Sequence, residues 1–325
     1  MKHRQLKSLM TGIWIMNVLI CLSVGGIYAW SVRPQPAQVQ QATSSFTFTA
    51  SPVISRTPEA SITPIPPPTQ RATITLWPTP SRGPSVTPMA QGASNVTVIG
   101  YSVENRPLET YHFGTGPVQK LIIAGIHGGY EWNTVALADE LIAYLNEHPE
   151  HIPEDTTLHL LRNLNPDGLT RGKTADGRAN ANNVDLNHNW PYNWAADWDR
   201  DGCFNERILS GGSGPGSEPE VQALIKFIEQ IRPKAIISYH SAALGIFPGG
   251  LSQFPPSIKL AEEVAEVSDY PYPPIHTGCD YTGNLTDWAA DTLGIASLDI
   301  ELTNHRDTDF EQNLRVLQAF LGWKK

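Results

Sequence analysis

A short run, Ile126-His127-Gly128-Gly129-Tyr130-Glu131, sits where an apolar strand-like segment, Lys120 to Ile126, gives way to a helix-like one. Such junctions are where α/β proteins place ligands. Imidazole and carboxylate together suit zinc, provided a third protein ligand arrives from elsewhere and a fourth position stays open. His240 is the candidate third ligand, at the end of the strand-like run Ala235 to Tyr239 and followed by small residues. Glu301 ends another apolar run, Leu298-Asp299-Ile300-Glu301-Leu302, where a carboxylate is costly unless it is paired or working. Taken singly, each has a plainer account: His127 and Glu131 as solvated turn residues, His240 as a satisfied core histidine.

The elements that would position these groups follow from periodicity. Leu121 to Ile126, Leu158 to Leu161, Ala235 to Tyr239 and Ala296 to Leu302 read as buried strands. Between them run helical stripes: Val135, Ala138, Leu141, Ile142 and Leu145; then Val221, Leu224, Ile225, Ile228 and Ile231; and last Phe310, Leu314, Leu317 and Leu321. Ser217-Glu218-Pro219-Glu220 reads as a capping box with Ser217 as N-cap. This alternation predicts an α/β fold with helices on both faces of one sheet. The long Gly-, Asn- and Asp-rich stretch from Asn165 to Gly216 is of a length that compact domains keep for function.

Ahead of this domain, Lys2, Arg4 and Lys7 precede an uncharged stretch from Ser8 to Val32, long enough to span a bilayer. Residues 1–32 are therefore expected to form a signal anchor, with everything after Arg33 outside the cytoplasm by the positive-inside rule. A cleaved signal peptide, with Ile27-Tyr28-Ala29 as a poor cleavage site, is the competing reading. Cys21 follows bulky Ile20, which argues against a lipid attachment site. Residues 33–94 are rich in Pro, Ser, Thr, Gln and Ala and read as a disordered linker, which fully extended would reach roughly 200 Å. Residues 95–325 remain for one catalytic domain. Cys203 and Cys279 lie there, and export would permit a disulfide without showing that they meet. The net charge of −9, with no basic run, argues against a nucleic-acid partner.

The intervening motifs, Asn165-Pro166-Asp167-Gly168 and then Arg178-Ala179-Asn180-Ala181-Asn182-Asn183-Val184-Asp185-Leu186-Asn187-His188-Asn189-Trp190, carry a resemblance. With His127 and Glu131, Ser217-Glu218-Pro219-Glu220, His240-Ser241, Asp287-Trp288 and Glu301-Leu302 in order, the chain resembles the zinc carboxypeptidase family, which includes carboxypeptidase A and the bacterial murein-peptide amidases. The resemblance implies a carboxypeptidase A-like single domain with a mixed, mostly parallel twisted sheet. It implies one zinc ion on His127, Glu131 and His240, with Glu301 as general base on the water that the metal activates. Arg178 would stabilise the oxyanion, Asn187 and its successor would grip the terminal carboxylate, and Tyr281 is the candidate for a tyrosine that closes over substrate. Thr286, just before Asp287-Trp288, would face the terminal side chain, and its lack of charge argues against a basic preference.

Two departures from the family pattern stand out. Three residues separate His127 from Glu131 where the family usually has two; glycines could absorb the extra one in a looser turn. His188 occupies the place where peptidases that trim a free C-terminus carry arginine. Histidine is mostly neutral at pH 7 and offers one donor at a time, so tight grip on a plain terminal carboxylate is put in question. A further signal, Asp197-Trp198-Asp199-Arg200-Asp201-Gly202, resembles calcium loops, but the twelfth position is Ile208, which excludes an EF-hand; a partial calcium site with Glu206 and a solvated acidic loop are the alternatives. The expected activity is hydrolysis of a terminal amide bond in a peptide or a peptidoglycan stem peptide. Removal of an N-acyl group from an amino acid, and a non-catalytic wall- or peptide-binding module, are the other readings.

Overall fold

The computed structural model describes residues 95–242 and 244–324. The expected anchor and the whole of the expected linker, residues 1–94, lie outside them. Among the described residues no helix is long and apolar enough to cross a membrane.

Seven strands form one sheet: β1 (Asn95–Tyr101), β2 (Pro107–Phe113), β3 (Val118–Ile123), β4 (Thr156–Leu161), β5 (Ala235–Ser241), β6 (Ile246–Pro248) and β7 (Ala296–Leu302), in the order β1-β2-β4-β3-β5-β7-β6. The four central strands, β4, β3, β5 and β7, run parallel. β1 and β2 at one side and β6 at the other pair antiparallel. The expected mixed, mostly parallel sheet is what forms, parallel at the centre and antiparallel toward both edges. The centre was readable because strands buried on both faces become continuous apolar runs, as β5 does: every one of its residues is buried.

Helices cover both faces. On one side α1 (Trp132–Glu147), α4 (Pro255–Val267) and α6 (Phe310–Gly322) pack Leu137, Leu141, Val264 and Phe320 against Ile122, Ile237 and Leu298. On the other, α3 (Pro219–Ile231) and α5 (Leu285–Leu293) pack Val221, Leu224 and Ala289 against Leu121, Ile123 and Ile236. One more short helix, α2 (Pro166–Thr170), opens the long loop, with Asn165 Oδ1 accepting from Gly168 N at 2.8 Å.

The predicted capping box does not form. α3 starts at Pro219, whose missing N–H suits a first helical position, and the Ser217 hydroxyl donates to Glu218 at 2.7 Å instead of to the helix. Glu218 and Glu220 are drawn into the long loop: Asn180 Nδ2 donates to both, at 2.7 and 3.2 Å, and Asn182 Nδ2 to Glu218 at 2.8 Å. Glu220 also accepts from Val103 N at 3.1 Å. These carboxylates fasten the loop that carries Arg178 and Asp185.

Lys120 is another long-range tie. Buried on β3, its ammonium donates to the carbonyls of Phe320, Leu321 and Trp323 at 2.6, 2.6 and 2.9 Å, closing the end of α6. Burial pulls its pKa down to about 8, so the group is still mainly charged at neutral pH. Lys120→Met should leave those carbonyls without a donor and lower the unfolding free energy by about 3 kcal/mol in a urea titration; an unchanged midpoint would show that water or neighbouring groups replace the ammonium at no cost.

Candidate functional site

β-strand register sets the site. In β5 and β7, His240 lies beside Glu301 and Ser238 beside Asp299. Alternate residues of a strand share a face, so all four side chains rise on one side of the sheet near its carboxyl edge. His127 follows β3, the strand on the other side of β5.

Glu131 reaches the same point because the chain after His127 turns at once. His127 O accepts from Tyr130 N at 3.1 Å and Glu131 N at 3.5 Å, and Glu131 becomes the residue before α1. The turn requires its glycines. Gly128 has φ +47, and a Cβ there would lie 2.8 Å from the carbonyls of Asn165 and Gly177; a Cβ on Gly129 would lie 2.2 Å from Gly172 O. The three-residue spacing is thus taken up in a turn clamped under the long loop, and the carboxylate still meets the imidazole.

Three candidate ligands converge. His127 Nδ1 is 2.7 Å from Glu131 Oε1, His240 Nδ1 is 3.3 Å from Glu131 Oε2, and the two Nδ1 atoms are 3.3 Å apart. Each of the three residues is 3% exposed, so water screens them little. The far nitrogens are engaged elsewhere: His127 Nε2 lies 3.1 Å from Asp185 Oδ1, and His240 Nε2 3.0 Å from Ser238 Oγ. With those N–H groups pointing outward, both Nδ1 atoms and the Glu131 carboxylate can turn lone pairs toward one shared cation. Glu131 Oε2 is buried and takes no hydrogen bond. The donor types, their approach within 4.8 Å and the outer carboxylate all fit zinc with an open coordination position.

Electrostatics point the same way. Burial works against ionising Glu131, but His127 and His240 outweigh it and hold its pKa well below the carboxylate range. Burial also works against charge on His240, and Asp299 and Glu131 outweigh it, so its pKa is well above that of ordinary histidine. Asp185 is held ionised against its burial by Arg178 and His127. Arg178 Nε donates to Asp185 Oδ2 at 2.8 Å and Nη1 to Glu131 Oε1 at 3.2 Å. Glu301 differs: burial and the neighbouring Glu131 raise its pKa to about 8, and its Oε2 is buried without a hydrogen bond.

Each predicted site residue borders a single cavity of about 870 Å³, including Asn187, His188, Tyr281 and Thr286. Tyr281 stands 38% exposed beside Phe247, with ring centroids 6.1 Å apart. Asn187 Oδ1 accepts from Leu285 N at 3.2 Å. His188 is stacked on Trp198, with centroids 3.6 Å apart and planes 6° from parallel, and its Nδ1 lies 3.2 Å from Thr282 Oγ1. Burial, helped by Arg178 and His127 against Asp185, lowers its pKa to about 4. His188 is therefore neutral at physiological pH in this site.

The cysteines do meet. Cys203 and Cys279, 76 residues apart in sequence, form a disulfide in the wall of the same cavity. The calcium reading finds no support: Asp197 pairs with Arg200, Asp199 accepts from Asp201 N at 3.0 Å, and the metal-type cluster among the described residues is His127, Glu131 and His240. Sequence reasoning assigned no role to Asp185, Asp299, Ser238 or Trp198. Asp299 carried a signal, as a carboxylate within an apolar strand run, whereas Asp185 lies in the polar Asn-rich run and Ser238 and Trp198 carried none.

Comparisons with known proteins agree with this geometry. Residues 89–318 match the zinc carboxypeptidase family, peptidase M14. Murein peptide amidase A of Escherichia coli K12 is 32% identical over 53% of this chain and 66% of its own length. Gamma-D-glutamyl-L-diamino acid endopeptidase 1 of Lysinibacillus sphaericus is 27% identical over 62% of this chain and 57% of its own. The chain thus spans just under two thirds of these relatives or less. The crystal structure of a murein-tripeptide amidase from Escherichia coli O157 superposes with a TM-score of 0.54 at 27% identity, covering 71% of this chain and 92% of that one.

Two measurements follow from the site. Folding raises the Glu301 pKa from the ordinary 4.5 to about 8 and so favours its protonated form. That contribution is complete below the ordinary value and is lost as pH rises through 8. In the metal-free protein, Glu301→Gln should therefore raise Tm over wild type by an amount that grows from about pH 5 to about pH 9; a constant difference would contradict this environment. Reducing the Cys203–Cys279 bond, which closes a long loop, should lower stability by about 4 kcal/mol in urea unfolding, whereas coincident curves with and without reductant would show that it adds nothing.

Proposed function

The chain belongs to the zinc carboxypeptidase family, and from that premise we propose that it is a zinc peptidase held outside the cytoplasm by residues 1–32, which hydrolyses an amide bond near the end of a peptidoglycan stem peptide. Residues 33–94 act as the tether and the fold that follows as the catalytic domain.

The observation that carries the substrate reading is His188. A peptidase for ordinary C-termini benefits from a permanent charge opposite the carboxylate, and here a neutral imidazole lies flat against Trp198. A polar group other than a plain α-carboxylate suits that surface better. The two amidase and endopeptidase relatives, whose names specify murein and γ-D-glutamyl peptides, support the same direction.

His127, Glu131 and His240 would hold the metal, with Asp185 and Ser238 fixing the two rings. When bound, zinc would lower the pKa of a water and polarise the scissile carbonyl. Glu301 would take the proton of the attacking water, which requires its carboxylate to be ionised by the positive charge of a metal bound beside it, and would then pass that proton to the leaving amine; burial beside Glu131 raises its affinity for the proton while it carries it. Arg178 is held by Asp185 and Glu131 through Nε and Nη1, which leaves Nη2 for charge developing on the carbonyl oxygen. Tyr281, at the exposed rim, closes over the substrate, and Asn187 and His188 orient its end.

With the full-length zinc-loaded protein, peptides bearing a γ-linked D-glutamyl bond should be cut with kcat/KM at least about tenfold above α-linked peptides ending in common residues. Faster release of ordinary C-terminal residues would make this a conventional carboxypeptidase. Hydrolysis of neither would favour a binding module.

A further inference from the structure

His305 borders the cavity without a part in the catalytic scheme. It lies beyond the end of β7, four residues after Glu301, and its ring rests against Tyr130, with centroids 4.9 Å apart and planes at 54°. Tyr130 is the last of the three residues between His127 and Glu131, and it packs edge-on against Phe204 at 5.1 Å. Its hydroxyl donates to Glu206 at 2.8 Å, and burial together with that carboxylate pushes its pKa up to about 12, so the phenol keeps its proton and spends it on Glu206. Tyr130, Phe204 and His305 thus form one aromatic wall of the cavity. The leaving end of the substrate is assigned to Asn187, His188 and Thr286, which leaves this wall for the acyl part.

A chain of hydrogen bonds fixes which nitrogen of His305 carries the proton. Asn133 is fully buried, and its Nδ2 donates to the carbonyls of Asn304 and Asp307 at 2.6 and 2.9 Å. Both amide hydrogens are used, and the amide cannot turn over, because its oxygen would then face two carbonyls. Asn133 Oδ1 must therefore accept, and the Ser241 hydroxyl donates to it at 3.0 Å. A hydroxyl has one hydrogen, so at its other contact, His305 Nδ1 at 3.0 Å, Ser241 Oγ can only accept. Nδ1 thus holds the hydrogen. In the neutral ring Nε2 is left as an acceptor, with no hydrogen-bond partner among the described residues.

A peptide backbone brings two polar groups, and only its N–H matches a lone pair. The scissile carbonyl oxygen is assigned to Arg178, so the first unmatched group on the acyl side is the amide N–H of the residue that bears that carbonyl. We propose that His305 is a substrate-binding residue whose Nε2 accepts this N–H, with Ser241 and Asn133 acting through it as positioning residues that hold the tautomer. The inference rests on the reading of this cavity as a peptidase site. An ester oxygen in place of the N–H brings a lone pair to a lone pair, and the acceptor goes unanswered.

The test uses full-length zinc-loaded protein and two Nα-acyl-γ-D-glutamyl peptides that differ in one atom, the α-nitrogen of the glutamyl residue or an ester oxygen in its place. The expected kcat/KM ratio favours the amide by about 3- to 12-fold. In His305→Phe, which keeps a ring against Tyr130 and removes the acceptor, the ratio should fall to about one whatever happens to the absolute rates. A ratio near one in the wild type, or a uniform loss that preserves the ratio in the variant, would overturn the proposal. Nitrogen NMR of the His305 ring, assigned by its disappearance in His305→Phe or His305→Gln, checks the tautomer independently: a proton on Nδ1 at neutral pH upholds the relay, and a proton on Nε2 overturns it. If neither peptide is cut, the peptidase reading fails separately, and calorimetric binding of the same two peptides decides: tighter binding of the amide by wild type, lost in His305→Phe, upholds the acceptor, and equal affinities overturn it.

Discussion

Glu131, Asp185, Asp299 and Glu301 stand around two imidazoles and one guanidinium in a space largely closed to water. Negative charge at that density is tolerated only when positive charge is placed among it, since desolvated carboxylates gain nothing from screening. Arg178 supplies part of that charge, bridging Asp185 and Glu131. The remainder falls at the meeting point of His127 Nδ1, His240 Nδ1 and Glu131, where an elevated His240 pKa marks the demand for a cation. Metal binding, ring orientation and the protonation of Glu301 are therefore one coupled electrostatic problem.

The fold solves the geometric half of it. Parallel neighbours bring the ends of β3, β5 and β7 together, and the register of β5 with β7 lines His240 up with Glu301. The fourth contributor cannot come from a strand, so the long loop brings Asp185 and Arg178, fastened through Asn180 and Asn182 to Glu218 and Glu220. The glycine turn at residues 128 and 129 fits beneath that loop with no room for side chains, which couples the first ligand pair to the loop that serves it. The disulfide then joins a later part of the loop, at Cys203, to the segment that carries Tyr281.

Much of this was readable from residue order. His127, His240 and Glu301 each end an apolar run, and a polar group at such a place is rare enough to stand out. The central parallel strands were found because burial on both faces leaves an unbroken apolar signature, as in β5. β1, β2 and β6 carried weaker signals: β1 is exposed along most of its length, β2 alternates between covered and open positions, and β6 is only three residues long. The capping box at Ser217 failed for a reason no local pattern contains, because the Glu220 carboxylate is taken by Asn180 Nδ2 and Val103 N. The spacing from His127 to Glu131 stood out as irregular, and only the close approach of Gly128 and Gly129 to the loop shows how it is accommodated.

The most direct test of the account is an equilibrium zinc titration of the metal-free full-length protein, set beside Asp185→Asn, which keeps the side-chain shape and removes the outer charge. The account predicts one tight zinc per chain in the wild type and affinity about 10- to 100-fold weaker in the variant, because Asp185 orients His127 and raises its basicity. A wild-type protein that binds no zinc tightly, or a variant that binds it equally well, would contradict the coupled charge cluster on which the functional reading stands.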